Sequence, residues 1–251
     1  MIRAESARGD SRALLARGAR ELGLQLTSDE LEMLEAFQEE LLDWNQRINL
    51  TAITRPEEVA IKHLLDSLTV LRALPPALAD ERASGSLADV GSGGGLPGIP
   101  LAIVRPCLRV SLIEATRKKC SFLEHVARRL SLTGVTVLHG RAEELAHRPD
   151  VRERYDVVVA RAVGALAVLA ELCLPLVRPG GYFIAMKTPR AAAEIAAARR
   201  AVELMGGGRE RMIPVRLPIL DQERLLVVIE KQRPTPALYP RRPGVPARSP
   251  L

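Results

Sequence analysis

The sequence predicts an α/β protein in which a mostly parallel, seven-stranded sheet carries helices on both faces, behind an amino-terminal helical extension. Three observations predict it. From Leu87 onward, short apolar runs alternate with helical segments, and parallel neighbours need a crossover that is usually a helix. The glycine run GSGGG at 91–95 follows the first apolar run, the place where open α/β sheets take ligands. Before residue 80 the apolar residues recur at helical spacing.

The elements follow in order. An early helix is expected near 11–22. Over 28–42, Leu31, Leu34, Phe37, Leu41 and Leu42 make one apolar stripe, with Ser28 and Asp29 as capping residues. A helix over 57–74 carries Val59, Ile61, Leu64, Leu65, Leu68 and Leu71. Pro75, Pro76 and the polar stretch to Ser86 read as a linker, so a helical part, 1–80, packs on a domain covering 81–231. Strands are expected over 88–90, 109–113, 135–138, 156–160 and 182–186. Helical segments over 99–104, 118–132, 143–147 and 166–177 separate them. Pro97 is placed at the first helical position, where no amide donor is needed. After one more helix, 191–205, the segments 210–217 and 224–229 read as an antiparallel edge pair. The tail 232–251 holds four arginines and no acid, and its prolines read as an extended basic arm.

Composition bounds the function. A chain of 251 residues with 47% hydrophobic residues can fill a sizeable core. Its apolar runs are too short for a membrane span, and its charged first residues lack a signal core, so a soluble, cytoplasmic protein is expected; a monomer is the accompanying expectation. Cys107, Cys120 and Cys173 are odd in number and widely spaced, which suits small buried hydrophobes better than a disulfide framework. The four histidines show no metal-ligand spacing, so no metal is expected. A net charge of +6 favours a polyanionic partner. Aromatic residues are only 3%, which argues against base stacking on a sheet platform and for electrostatic contact with phosphates. Arg117, Lys118 and Lys119 on a helix, and Arg233, Arg241, Arg242 and Arg248 in the tail, are the candidate contacts to the phosphates of such a partner.

The glycine loop narrows the ligand. Gly91, Gly93 and Gly95 give turn dihedrals and let bare backbone approach a cofactor. Glu114 ends the second strand 23 residues beyond Gly91, about where a carboxylate accepts from ribose hydroxyls. A nicotinamide dinucleotide calls for GxGxxG opening into a helix that faces its pyrophosphate. GSGGG followed by Leu-Pro-Gly is closer to the GxGxG loop of S-adenosylmethionine methyltransferases.

Further strings then accumulate along the chain: WNQRINLTAI at 44–53, KHLLDSL at 62–68, DVGSGGGLPGIPLAIVRP at 89–106, GRAEEL at 140–145, VVARAV at 158–163 and ERLLVVIEK at 223–231. With the tail TPALYPRRPGVPARSPL, they resemble the RsmG family, also called glucose-inhibited division protein B, from about Leu22 to the end. The resemblance implies a class I S-adenosylmethionine-dependent methyltransferase with a Rossmann-like fold. It also implies the reaction, methylation of ring nitrogen-7 of one guanine in small-subunit (16S) ribosomal RNA, free or in the ribosomal subunit. The donor contacts it implies are Gly91, Leu96, Glu114, Ala115, Thr116, Ala142, Glu143 and Arg161.

The acceptor chemistry is consistent with this. Methyltransferases of exocyclic amines place Asn-Pro-Pro-aromatic after the fourth strand, where this chain has Ala-Arg-Ala. Pyrimidine carbon-5 needs a cysteine nucleophile, and Cys107 follows the first crossover helix instead of the fourth strand. Guanine nitrogen-7 has an exposed lone pair and no proton to lose, so alignment and field suffice and no obligate base is expected. Asn49, His63, Asp66, Arg161 and Lys187, polar residues inside apolar strings, are the candidates for orienting the base or its phosphates. On the loop and Glu114 alone an NAD-dependent oxidoreductase remains the alternative, and on charge alone a non-catalytic RNA-binding assembly protein.

Overall fold

A computed structural model describes residues 2–161 and 164–251, without the side chains of 2–10 and 192. Ala162 and Val163, which end the VVARAV string, lie outside the described residues. The helical extension consists of α1 (Ile2–Glu21), α2 (Ser28–Asn45) and a helical run from Pro56 to Ala73. Thr27, not Ser28, caps α2: its hydroxyl accepts from Glu30 N–H, and the Glu30 carboxylate accepts from Thr27 N–H in return. The run expected as one helix over 57–74 is not regular. It begins as α3 (Pro56–Val59), widens into a π-helical turn, Ala60–Leu65, resumes as α4 (Asp66–Leu68) and tightens into a 3₁₀ segment, Thr69–Ala73. A π turn inserts one extra residue and re-aims the side chains beyond it, a device concentrated at functional sites.

The sheet has the order β3-β2-β1-β4-β5-β7-β6. Its strands are β1 (Gly85–Val90), β2 (Leu108–Glu114), β3 (Val135–His139), β4 (Tyr155–Arg161), β5 (Val177–Lys187), β6 (Gly207–Leu217) and β7 (Gln222–Lys231). The first five are parallel, and β7 pairs antiparallel with β5 and β6, as the sequence predicts. The crossover helices are α5 (Gly98–Val104), α6 (Arg117–Arg129), α7 (Ala142–Leu145), α8 (Leu166–Cys173) and α9 (Ala192–Leu204), with a last short helix, α10 (Val245–Arg248), in the tail. Pro175 ends the helix expected over 166–177 early, and β5 starts five residues before the expected 182. Pro97 stands outside α5 as its cap, and Gly98 is the first helical residue. A Cβ at Gly98 would lie 2.3 Å from Leu112 Cδ2, so the helix can approach the sheet only there.

Strand residues alternate between two cores. Leu87, Val157, Val159 and Ile184 pack with Leu15, Leu34, Leu64 and Phe122 on one face. Ala88, Val158, Ala160 and Phe183 pack with α8 and α9 on the other. The helical extension therefore shares a core with the sheet. Of the cysteines, Cys120 and Cys173 are buried as expected, but Cys107 is exposed, in the turn that enters β2.

Candidate functional site

The strand order reverses beside β1, and the crevice opens at the carboxyl ends of β1 and β2, as in other open α/β sheets. Gly91, Gly93 and Gly95 have φ of 74°, 55° and 80°, the left-handed region that an L side chain resists. Gly91 N–H and Ser92 N–H donate to the Ile113 carbonyl at 2.9 and 3.1 Å, which fastens the loop to β2. Glu114, almost buried, accepts from Gly93 N–H at 3.0 Å with one oxygen and from Thr116 N–H at 2.7 Å with the other. A carboxylate offers about four lone-pair sites, so each oxygen keeps acceptor capacity for a ligand hydroxyl. Beneath the loop, the fully buried Asp89 accepts from Gly98 N–H at 2.9 Å; burial raises its carboxyl to about 7.

These elements wall a cleft of about 240 Å³. Six of the expected donor contacts line it together: Gly91, Glu114, Ala115, Thr116, Ala142 and Glu143. Leu172 of α8 lines it as well. Two expected contacts do not line it. Leu96 is buried in the core under the loop. The Arg161 side chain turns to the helical extension instead of a free anion, because a carboxylate is already there.

That carboxylate is Asp66. Arg161 Nη1 donates to Asp66 Oδ2 at 3.2 Å and to the Lys62 carbonyl at 3.3 Å. Arg224 Nε donates to the other oxygen, Oδ1, at 2.8 Å. Asp66 is buried and sits between two guanidinium groups, one ending β4 and one on β7. His63 joins the cluster from the π turn: its Nδ1–H donates to the Lys62 carbonyl at 3.1 Å, and its Nε2 accepts from the Thr51 hydroxyl at 2.6 Å. Burial and the Arg161 charge push His63 down to about 4, so the ring is neutral at pH 7. Arg161 Nη2 also lies 3.4 Å from His63 Nδ1, so one guanidinium lies against both His63 and Asp66. Sequence reasoning missed Arg224 and Thr51, although both lie in the quoted strings; an arginine opening an apolar strand was the available signal.

The other orienting candidates lie apart from this cluster. Lys187 Nζ donates to Glu194 at 2.9 Å and to the Gly164 carbonyl at 2.5 Å. Asn49 is exposed; Asn45 organises the turn, accepting from Leu50 and Thr51 N–H. Arg117 and Lys118 are exposed and Lys119 half-buried in the first turn of α6, beside Thr116 of the cleft wall. Three cations at a helix amino terminus oppose the helix dipole, and that turn holds no acid.

The tail corrects an expectation. It is not a free basic arm but lies along the domain. Arg152 donates to the Tyr239 carbonyl at 2.9 Å and the Thr235 carbonyl at 2.8 Å. Arg241, expected to meet RNA, pairs with the buried Glu171 at 2.6 Å. Arg233 and Arg248 each donate to a main-chain carbonyl, of Glu203 and Gly244, and Arg242 remains exposed. Nor do the prolines exclude a helix, since Pro246 sits in the first turn of α10, or packing, because side chains of the domain satisfy the tail's carbonyls.

A family model described as rRNA small subunit methyltransferase G matches residues 30–222. The chain belongs to that family. It is therefore a methyltransferase, and the oxidoreductase and non-catalytic alternatives fall. The ribosomal RNA small subunit methyltransferase G of Pelotomaculum thermopropionicum is 48% identical over 237 residues, covering 94% of this chain and 97% of that protein. The protein of the same name from Bacillus cereus is 45% identical over 231 residues, covering 92% and 95%. Among solved structures, a predicted O-methyltransferase of Agrobacterium tumefaciens aligns with a TM-score of 0.51 at 21% identity, over 69% of this chain and 83% of that one. An MtNAS variant aligns with a TM-score of 0.52 at 18% identity, over 87% and 78%. These two likenesses speak to the fold. Among the described residues no helix is long and apolar enough to cross a membrane, and no group of three or more His, Cys, Asp or Glu is placed to hold a metal.

Proposed function

We propose that this chain transfers a methyl group from S-adenosylmethionine to nitrogen-7 of a guanine in small-subunit ribosomal RNA. The observation that carries the reading is the cleft, where Glu114 keeps acceptor capacity beside Gly91, Ala142 and Glu143 in a family of ribosomal RNA methyltransferases. S-adenosylmethionine supplies an electrophilic methyl on a sulfonium. Glu114 accepts from the ribose hydroxyls; Ala142 leaves room for the base, and Glu143 offers a polar edge beside it. On the acceptor side, Asp66 holds Arg161 and Arg224 in fixed positions, and a neutral His63 adds no charge. Because nitrogen-7 carries a lone pair and no proton, alignment is the chain's main task. Arg117, Lys118 and Lys119 attract RNA phosphates next to the cleft.

Titration of the chain with S-adenosylmethionine, S-adenosylhomocysteine and NAD, each with heat detection, tests the donor. Binding of the two adenosyl ligands and not NAD is expected; NAD binding alone would overturn the reading. Mapping the methyl group lost from ribosomal RNA in cells lacking the protein tests the acceptor.

A further inference from the structure

Glu171 lies on α8 with its side chain 1% exposed. A carboxylate so buried costs several kcal/mol unless it is paired and hydrogen-bonded. Arg241 satisfies it almost completely: Nε donates to Oε1 at 2.8 Å, Nη2 to Oε2 at 2.6 Å, and Arg241 N–H to Oε1 at 2.8 Å. Such a fork fixes orientation as well as distance. The next residue on α8 is Leu172, a wall of the cleft.

A second tie lies three residues further along the tail. Gly244 N–H donates to Glu143 Oε1 at 3.1 Å, and Glu143 also lines the cleft. Gly244 has φ 79°, which its lack of a side chain permits. His147, just beyond α7, bonds the Pro240 carbonyl at 2.9 Å. The base of the tail is anchored as firmly. The fully buried Lys231 donates to the Leu174 carbonyl and the Thr235 hydroxyl, each at 2.6 Å. Lys231 also lies 3.2 Å from Glu153. A hollow of about 560 Å³ remains between tail and α7, while Tyr239 and Leu251 pack against the core of the domain.

We propose that the tail is a strap that positions two walls of the donor cleft, Glu143 and Leu172, with Arg241 as the positioning residue. It rests on the reading of that cleft as the S-adenosylmethionine site. The strap sets affinity for the donor, while RNA affinity is set elsewhere.

The test uses the full chain, with Arg241→Ala, Arg241→Lys and Glu171→Gln. Initial rates at varied S-adenosylmethionine give KM and kcat, and filter binding across salt concentrations gives RNA affinity. Losing the fork raises KM for the donor about tenfold, as expected for a charge-assisted pair, with kcat at saturating donor within about twofold. RNA affinity and its salt slope stay unchanged. Arg241→Lys keeps the charge without the fork and recovers part of the loss; should Arg241→Ala fail to fold, the lysine variant and Glu171→Gln carry the comparison. Unchanged donor KM in the folded variants, or weakened RNA binding with donor KM intact, overturns the strap. A wild-type chain that binds no adenosyl ligand overturns the cleft reading itself, whereas wild-type binding with indifferent variants overturns the strap alone.

Discussion

Asp89 Oδ2 accepts from Gly98 N–H at 2.9 Å, while Asp89 Oδ1 meets no hydrogen-bond donor among the described residues. The bond ties β1 to the first residue of α5 and holds the glycine loop from below. Its carboxyl is raised to about 7 by burial, so the folded state favours the protonated form. A raised acid contributes stability that is full below its unfolded value, near 4, and is lost as pH rises through about 7. Wild type therefore loses stability across that window, and Asp89→Asn flattens the curve. Urea midpoints at intervals from pH 4 to pH 8 check it; parallel curves for the two chains would show that another group titrates.

Replacing Asp66 by Ala strands two guanidinium groups in a mostly dry cluster. The loss of a buried partner costs about 3–5 kcal/mol. Asp66→Asn keeps the shape, and in that variant kcat/KM for RNA falls about a hundredfold, as for a misplaced positioning group, with donor affinity unchanged. Unfolding curves and RNA-dependent initial rates measure the two effects separately. Full activity in Asp66→Asn would remove the cluster from the acceptor site.

Glu114→Ala removes the acceptor for Gly93 N–H and Thr116 N–H along with the capacity left for a ribose. Hydrogen bonds to a charged group are worth about 1.5–3 kcal/mol, so donor affinity drops about ten- to a hundredfold. Calorimetric titration with S-adenosylhomocysteine reads this directly.

Neutralising Arg117, Lys118 and Lys119 together relieves the helix dipole and removes phosphate contacts. Thermal stability holds or rises slightly. The slope of log affinity for RNA against log salt becomes shallower by about 2, with each lost phosphate contact contributing about 0.7–0.9. An unaltered slope would place the RNA elsewhere.

The parallel sheet and its antiparallel edge were legible because alternation of apolar runs with helical stretches constrains topology strongly. Six of the expected contacts converge on one cleft because they sit at or just beyond the carboxyl ends of β1, β2 and β3. Less legible was anything fixed by contacts distant in sequence. The apolar spacing of 57–74 hid the π turn, because one extra residue barely disturbs a stripe of six apolar side chains. The tail's composition read as unstructured, and nothing in QRPTPALYPRRPGVPARSPL announces that Glu171 awaits Arg241. Arg161 is expected from the sequence as a donor contact and base-orienting residue; that its side chain pairs with Asp66, and that Arg224 shares that carboxylate, needed three dimensions.

The ties from Arg241 to Glu171 and from Gly244 to Glu143 span 70 and 101 residues. Domains fold from the amino terminus as synthesis proceeds, and these residues emerge well after the helices they tie. The glycine loop and Glu114 precede them in the chain. The cleft's Glu143 and its Leu172-bearing helix gain these ties only after Arg241 and Gly244 have emerged, so a chain truncated before Arg241 has a finished sheet beside an unsecured pocket.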